Sequence, residues 1–252
     1  MTLTIIGAGA MAMALADGLE NRYKLEFVVR DLSKVGNLIN SYDIYLLKNF
    51  DISDKNVILA VKPYAINSVA KNLKGEADVL YSILAGTSIE LLKENISAKS
   101  YIRAMPNVSA KFGLSTTVIT GDISKKSQAV EIFSSIGDTF WVNSQKEIDI
   151  ATAIAGSGPA LLALVAEAMM DGLVKEGMKR ADAISITNSL FNGFAPLIAS
   201  NHPAIIKDSV MSPAGTTAVA YGVLEEGAVR GFFIKAVEKA FNHLASKNPN
   251  YC

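Results

Sequence analysis

Thr2-Leu-Thr-Ile-Ile-Gly7-Ala-Gly9-Ala-Met-Ala12-Met-Ala-Leu-Ala-Asp17 stands at the start of the chain, and its reading decides the fold. Leu3–Ile6 is a short apolar run of the kind that forms a buried strand. From Met11 to Leu19 the apolar residues fall at helical spacing. Gly7, Gly9 and Ala12 lie between the two in a G-x-G-x-x-[GA] pattern. A strand before this pattern and a helix after it is the context that makes it a dinucleotide fingerprint. Gly7 permits the tight turn, Gly9 lets the backbone approach a pyrophosphate, and Ala12 lets the helix pack close to the strand. Ala10 and Met11 then present the helix N-terminus to the anion. The plain alternative is a tight strand–helix turn without a ligand.

Outward from this stretch, strand and helix signals alternate. Strands are predicted at Glu26–Val29, Val57–Val61, Val79–Leu84 and Tyr101–Ala104, and helices at Leu32–Ile39, Ala65–Leu73 and Ile89–Asn95. Two further strands, Ser115–Thr120 and Thr139–Asn143, flank a helix at Ser124–Ser135. Such alternation means βαβ units and a mostly parallel sheet. After about Ile148 the strand signals stop, and helical patterns fill Pro159–Lys175, Ala181–Ala199, Pro203–Val210, Thr216–Glu226 and Val229–Leu244. The expected architecture is an α/β, Rossmann-like NAD(P)-binding domain over residues 1–148. An all-helical domain for dimerisation and substrate binding is expected over 149–252. Ala160–Met170 is apolar almost all round, more than one small bundle can bury, so a homodimer or higher homo-oligomer is expected.

The composition narrows the partners. The 252 residues are half hydrophobic and carry 24 basic and 24 acidic side chains, a balance that gives no support for nucleic acid or an anionic membrane. One cysteine, Cys252, and two histidines, His202 and His243, give neither a disulfide framework nor a zinc ligand set. No metal is expected. The chain runs straight from Met1 into the first strand, so a cytoplasmic protein is expected. Ala151–Met170 has no charge before Glu167, but Gly156-Ser157-Gly158-Pro159 interrupts it, which favours a buried bundle helix over a membrane span.

Candidate binding residues cluster at predicted strand ends, where such folds bind ligands. Arg30 follows the second strand, with Ser33 and Lys34 close behind. An arginine there suits the 2′-phosphate of NADP, whereas Asp31 beside it would suit the ribose of NAD. Ala60-Val61-Lys62-Pro63 ends the third strand. Arg103-Ala-Met-Pro-Asn107 ends another, and Asn107 suits a carboxamide partner. Each of these is also an ordinary strand-end turn. Ser212-Pro-Ala214-Gly215-Thr216-Thr217 is six small residues entering a helix, which reads equally as a plain N-cap or as a cradle for a small anion.

Together these motifs resemble the pyrroline-5-carboxylate reductase family. The resemblance rests on Gly7–Ala12, Ala60–Pro63, Arg103–Asn107, Gly156–Ala160 running into Glu167-Ala168, and Lys207-Asp-x-Val-x-Ser-Pro-x-Gly-Thr-Thr217. It covers nearly the whole chain. Ala214 stands where the family usually has a second glycine, and Ser109 where it has a proline. The resemblance implies NAD(P)H-dependent reduction of L-1-pyrroline-5-carboxylate to L-proline, the last step of proline biosynthesis; Arg30 favours NADPH over NADH as the cofactor. It also implies an active site completed at a dimer interface.

On this resemblance Ser212, Ala214, Gly215, Thr216 and Thr217 would hold the substrate carboxylate by backbone N–H groups. Thr217 would place its hydroxyl beside the imine nitrogen. No histidine, cysteine or paired carboxylates line up as general acid and base, so catalysis would rest on positioning. Glu167 and Asp171 are expected to be structural partners. A 3-hydroxyacid dehydrogenase would need lysine four residues past the second-domain Gly-x-Gly, where this chain has Leu162. A reductase of a related cyclic imino acid and a non-catalytic NADP-binding sensor remain as alternatives.

Overall fold

A computed structural model describes residues 1–35 and 41–246. The chain forms two compact units, Met1–Pro159 together with the residues from Lys239 onward, and Ala160–Glu238. The first unit is built on an eight-stranded sheet. In chain order its strands are β1 (Thr2–Ile6), β2 (Lys24–Val29), β3 (Asp43–Leu46), β5 (Asn56–Leu59), β7 (Ala77–Ser82), β8 (Ala98–Met105), β9 (Ser115–Gly121) and β10 (Gly137–Trp141). Two-residue strands β4 (Phe50–Asp51) and β6 (Leu73–Lys74) pair separately. The spatial order is β10-β9-β8-β7-β5-β1-β2-β3.

Alternation of side chains along each strand sends successive residues to opposite faces. Leu3, Ile5, Phe27, Val29 and Ile58 join one core cluster, and Ile6, Val28, Val57 and Leu59 join the other. Both faces are covered, which is why these strands read as nearly continuous apolar runs. The first cluster takes Leu15 and Leu19 from α1 (Ala10–Leu19), and Ile132 and Phe133 from α4 (Lys126–Ser134). The second takes Ile66 and Val69 from α2 (Ile66–Ala70), and Leu92 from α3 (Ile89–Asn95).

All pairings in the large sheet are parallel except β8 with β9. The segment 106–114 that joins them has no crossover helix, only a 3₁₀ turn at Val108–Phe112. A parallel return needs a dozen or more residues, so the chain must turn back. Strands β3, β4 and β6 go beyond the sequence expectation. They are short, and β3 is largely exposed, so they carry little apolar pattern. The helix expected at Leu32–Ile39 is a 3₁₀ turn over Leu32–Lys34; residues 36–40 lie outside the described residues.

An additional helix, α5 (Gln145–Ala155), packs on the first unit's core through Ile148 and Ala155. The sequence boundary at 148 falls inside it. Next is α6 (Gly158–Lys175), with Gly156 and Ser157 between the two helices. The run Gln145–Lys175 is long and apolar enough to cross a membrane by length and composition, but this break divides it.

The second unit holds α6 from Ala160, then α7 (Arg180–Ser200), α8 (Pro203–Ser209), α9 (Thr216–Glu226) and most of α10 (Val229–Ala245). Within Ala160–Glu238 only Ala183 and Thr187 are buried. Leu164, Leu190, Val219, Val223, Phe232 and Ile234 are all exposed in the single chain. Soluble chains rarely leave so much apolar surface in water. Asp171 pairs with Arg180 at 2.6 Å on this unit's surface.

Candidate active site

The strand order sets where a ligand can sit. From β1 the chain builds β2 and β3 on one side, then crosses to β5, β7 and β8 on the other. The reversal between β1 and β5 leaves a crevice at the C-terminal ends of the strands, the usual ligand position in open α/β sheets. A cavity of about 630 Å³ lies there, wholly within the first unit.

Its lining follows the sheet edge strand by strand. Arg30 comes from β2, Ala8–Met11 from the β1–α1 turn and Ala60–Ala65 from the end of β5. Ile83–Ala85 follow β7, Met105 ends β8 and Pro106–Val108 follow it, Thr152 comes from α5, and Gly156 and Ser157 directly follow α5. From β2 to β8 is four strand spacings, about 19 Å, enough to lay out two nucleosides joined by a pyrophosphate.

The β1–α1 turn is built for a phosphate group. Gly7 has φ +114°, and a Cβ there would lie 2.6 Å from the Ala60 carbonyl oxygen, so only glycine lets β1 and β5 approach this closely. Gly9 caps α1 without any side-chain hydrogen bond, and a Cβ on it would meet no atom within 4 Å. The first helical bond runs from the Met13 N–H to the Gly9 oxygen at 3.0 Å. That leaves the N–H groups of Ala10, Met11 and Ala12 as the open donors of the first turn. Ala12 is fully buried against the core. Open backbone, an uncapped helix and the Arg30 charge together fit a dinucleotide.

Of the residues singled out from sequence, Gly9, Ala10, Met11, Arg30, Ala60, Val61, Lys62, Pro63 and Asn107 line this cleft, and Gly7 shapes it from behind. Ser33 lies outside the lining. Its N–H and hydroxyl both donate to Asp31 Oδ1, at 3.0 and 2.7 Å, so Asp31 caps the 3₁₀ turn. Lys34 ends that turn, and its side chain lies outside what is described.

Asn107 is nearly buried, and its amide is used within the protein. Its Nδ2 donates to the Ala155 carbonyl at 2.9 Å, and its Oδ1 accepts from the Ser109 N–H at 3.0 Å. It therefore ties the end of β8 to the end of α5, with one donor and one lone pair left for a ligand.

Sequence reasoning missed Tyr64, Ile83–Ala85, Met105, Pro106, Val108, Thr152, Gly156 and Ser157 as lining residues. The strand-end rule, applied to β7 as it was to β5 and extended to the neighbours of Asn107 at the end of β8, finds the sheet-borne ones.

Beneath the far end of the cleft lies a polar network. Arg103, 1% exposed, makes a fork with Asp149 of α5, fully buried, with Nη2–Oδ1 at 2.6 Å and Nη1–Oδ2 at 3.4 Å. Arg103 Nη1 also donates to Gln145 Oε1 at 3.3 Å, and the same oxygen accepts the Ile89 N–H at 2.7 Å. Gln145 Nε2 donates to Glu90 at 3.0 Å. Partial burial pushes the Glu90 carboxyl up, but the Gln145 amide, its own backbone N–H and Ser88 outweigh this and hold it below the usual carboxylate range.

In the second unit, Ser212–Thr217 forms a turn followed by a helix start. The Gly215 N–H donates to the Ser212 carbonyl at 3.0 Å, with Pro213 second and Ala214 third in the turn. Ala214 has φ +57°, the positive value a type II turn demands at that place and glycine meets more easily. A Cβ on Gly215 would lie 2.3 Å from Ser212 Oγ. Gly215 is the N-cap of α9 and offers no side-chain bond; Thr216 and Thr217 are the first two helical residues, so neither is the cap. The first helical bond joins the Val219 N–H to the Gly215 oxygen, leaving the Thr216, Thr217 and Ala218 N–H groups as open donors.

Comparison with known proteins adds the following. Residues 145–247 match the family described as pyrroline-5-carboxylate reductase dimerisation. Residues 2–86 match the one described as NADP oxidoreductase, coenzyme F420-dependent. The chain is 33% identical over 252 residues to a pyrroline-5-carboxylate reductase of Helicobacter pylori, covering 94% of this chain and 96% of that one. It is 35% identical over 260 residues to the enzyme of that name from Synechocystis, covering 95% of each. Its fold matches the crystal structure of Plasmodium falciparum pyrroline carboxylate reductase with NADP bound. The TM-score is 0.85 and the identity 26%, over 98% of this chain and 99% of that one.

Proposed function

Because the chain belongs to the pyrroline-5-carboxylate reductase family, we propose that it reduces L-1-pyrroline-5-carboxylate to L-proline with NADPH, the final step of proline biosynthesis. The observation that carries the reading is the Ser212–Thr217 turn. It offers uncapped helix N–H groups behind small residues, in a chain whose other unit holds a dinucleotide-shaped cleft. A carboxylate is stabilised at such a helix start.

NADPH, when bound, would supply the hydride to the ring carbon of the C=N bond, the ring nitrogen having taken its proton from water as the iminium, so that L-proline and NADP⁺ result. The protein holds the reactants. Gly9, Ala10 and Met11 take the pyrophosphate at the start of α1. Arg30 would meet the 2′-phosphate, with Ser33 and Lys34 as further candidates from the sequence, and Ala60–Pro63 and Asn107 would complete the cofactor contacts. The backbone of Ser212, Ala214, Gly215 and Thr216 holds the substrate carboxylate. Thr217 is the catalytic residue, its hydroxyl hydrogen-bonded to the ring nitrogen. Rate enhancement comes from orientation and fixed dipoles rather than from a titrating acid–base pair.

The working form is a homodimer or a larger homo-oligomer in the cytoplasm. In it the apolar helices of residues 149–252 are buried against a second copy, and α6 is an interface helix rather than a membrane span. The test is NADPH oxidation, followed at 340 nm, with a panel of cyclic imino acids. L-1-pyrroline-5-carboxylate should be the best substrate by kcat/KM. A higher kcat/KM for a six-membered imino acid would move the substrate assignment, and no turnover with any of them would overturn it.

A further inference from the structure

Three segments that line the far end of the cleft come from separate parts of the chain: the loop after β7, the end of β8, and α5. The Arg103 network joins all three. Arg103 stands two residues before Met105 on β8, Asp149 and Gln145 belong to α5, and Ile89 opens α3 directly after the β7 loop. Thr152, which lines the cleft, stands less than one helical turn beyond Asp149, and Gly156 and Ser157 follow directly after α5.

A buried ion pair is a weak means of gaining stability, because desolvating both charges offsets most of their attraction. A planar two-point fork, however, fixes orientation. We infer that Arg103 and Asp149 are positioning residues, which lock α5 against β8 so that Thr152, Gly156 and Ser157 shape the cleft where the nicotinamide half of the cofactor lies. The assignment rests on the dinucleotide reading of the cleft. Arg30 marks the adenosine half at β2, four strand spacings from β8 in the sheet order with β1, β5 and β7 between. The two halves can therefore be probed separately.

The experiment compares the full-length wild type with Arg103→Lys and with the double variant Arg103→Met/Asp149→Leu. The double variant replaces both charges with apolar groups of similar size, which commonly preserves stability. Arg103→Lys keeps the charge but loses the fork, and serves where the double variant does not fold. Melting temperature, steady-state kinetics and calorimetric dissociation constants for NADP⁺ and adenosine 2′,5′-bisphosphate are measured.

Binding of adenosine 2′,5′-bisphosphate should stay within about twofold, because phosphate and base contacts lie at the other end. The extra affinity of NADP⁺ over that fragment should shrink, and kcat should fall roughly ten- to a hundredfold, as expected when a reacting centre is displaced by an ångström or less. A purely structural role predicts recovery of kcat along with the melting temperature, and that result would overturn the assignment. Parallel weakening of both ligands would also overturn it. A wild type that binds neither ligand would remove the dinucleotide reading and this assignment together, whereas unchanged kcat in variants that still bind would remove this assignment alone.

Discussion

Replacing Arg30 with alanine should change which cofactor the protein uses. Arg30 is exposed at the end of β2 and lines the cleft, while its neighbour Asp31 is engaged by the N–H and hydroxyl of Ser33. The guanidinium is thus the group best placed to meet a 2′-phosphate. A hydrogen bond to a charged group contributes roughly 1.5–3 kcal/mol. Solvent exposure puts this one at the lower end, because water screens the pair. About 1.5 kcal/mol is roughly a tenfold change. Arg30→Ala should therefore lower kcat/KM for NADPH about tenfold, mostly through KM, since a phosphate far from the reacting carbon binds ground and transition states alike. NADH lacks the phosphate and should change less than about twofold. Raising salt should weaken NADPH binding in the wild type more than in the variant. Equal losses with both cofactors, or no loss with NADPH, would refute the reasoning.

Thr217→Val and Thr217→Ala should both lower kcat/KM for the imine by roughly 0.5–1.5 kcal/mol, the worth of a neutral hydrogen bond, with NADP⁺ affinity unchanged. Full activity in the valine variant would make the residue a packing group. Leu190→Asp, on the exposed face of α7, should yield a smaller species in sedimentation and little activity, whereas an unchanged assembly would exclude this face from the interface. Tyr81→Phe should raise the melting temperature by about 2–4 °C, as removing roughly 1 kcal/mol of buried unpaired hydroxyl would do. The Tyr81 hydroxyl is buried without a hydrogen-bond partner among the described residues, burial pushes its pKa up, and its ring packs edge-on to Phe133 at 6.0 Å. A lower melting point would mean that the hydroxyl has a partner, such as a bound water.

The β1–α1 passage was legible because the apolar period changes from strand to helix across two glycines, and nothing else in the chain competes with that signal. The antiparallel return of β9 was equally written in the chain, in the length of segment 106–114, but it is read from connection geometry rather than from residue pattern. Helix α5 was hidden. Its first turn, Gln145–Ile148, is polar except for the last residue, and its charged Asp149 faces the buried Arg103 rather than water. Without α5 as a helix packed on the core, its cleft residue Thr152 and the Gly156 and Ser157 that follow it carry no sign of lining a cleft. Ala214 shows a different limit. Six small residues announce a tight turn and the resemblance marks Ala214 as a usual glycine position, but only the backbone angle supplies the physical reason, a positive φ at that residue.

The central claim is a hydride transfer to the C=N carbon of a carboxylate-bearing ring, and isotope transfer tests it most directly. Full-length protein is incubated with L-1-pyrroline-5-carboxylate and NADPH carrying deuterium in place of the hydride that leaves C4, and the product is analysed by mass spectrometry. The account predicts L-proline with one deuterium at C5, the ring carbon bonded to nitrogen on the side away from the carboxylate. Unlabelled proline, or cofactor consumed without proline, would contradict it.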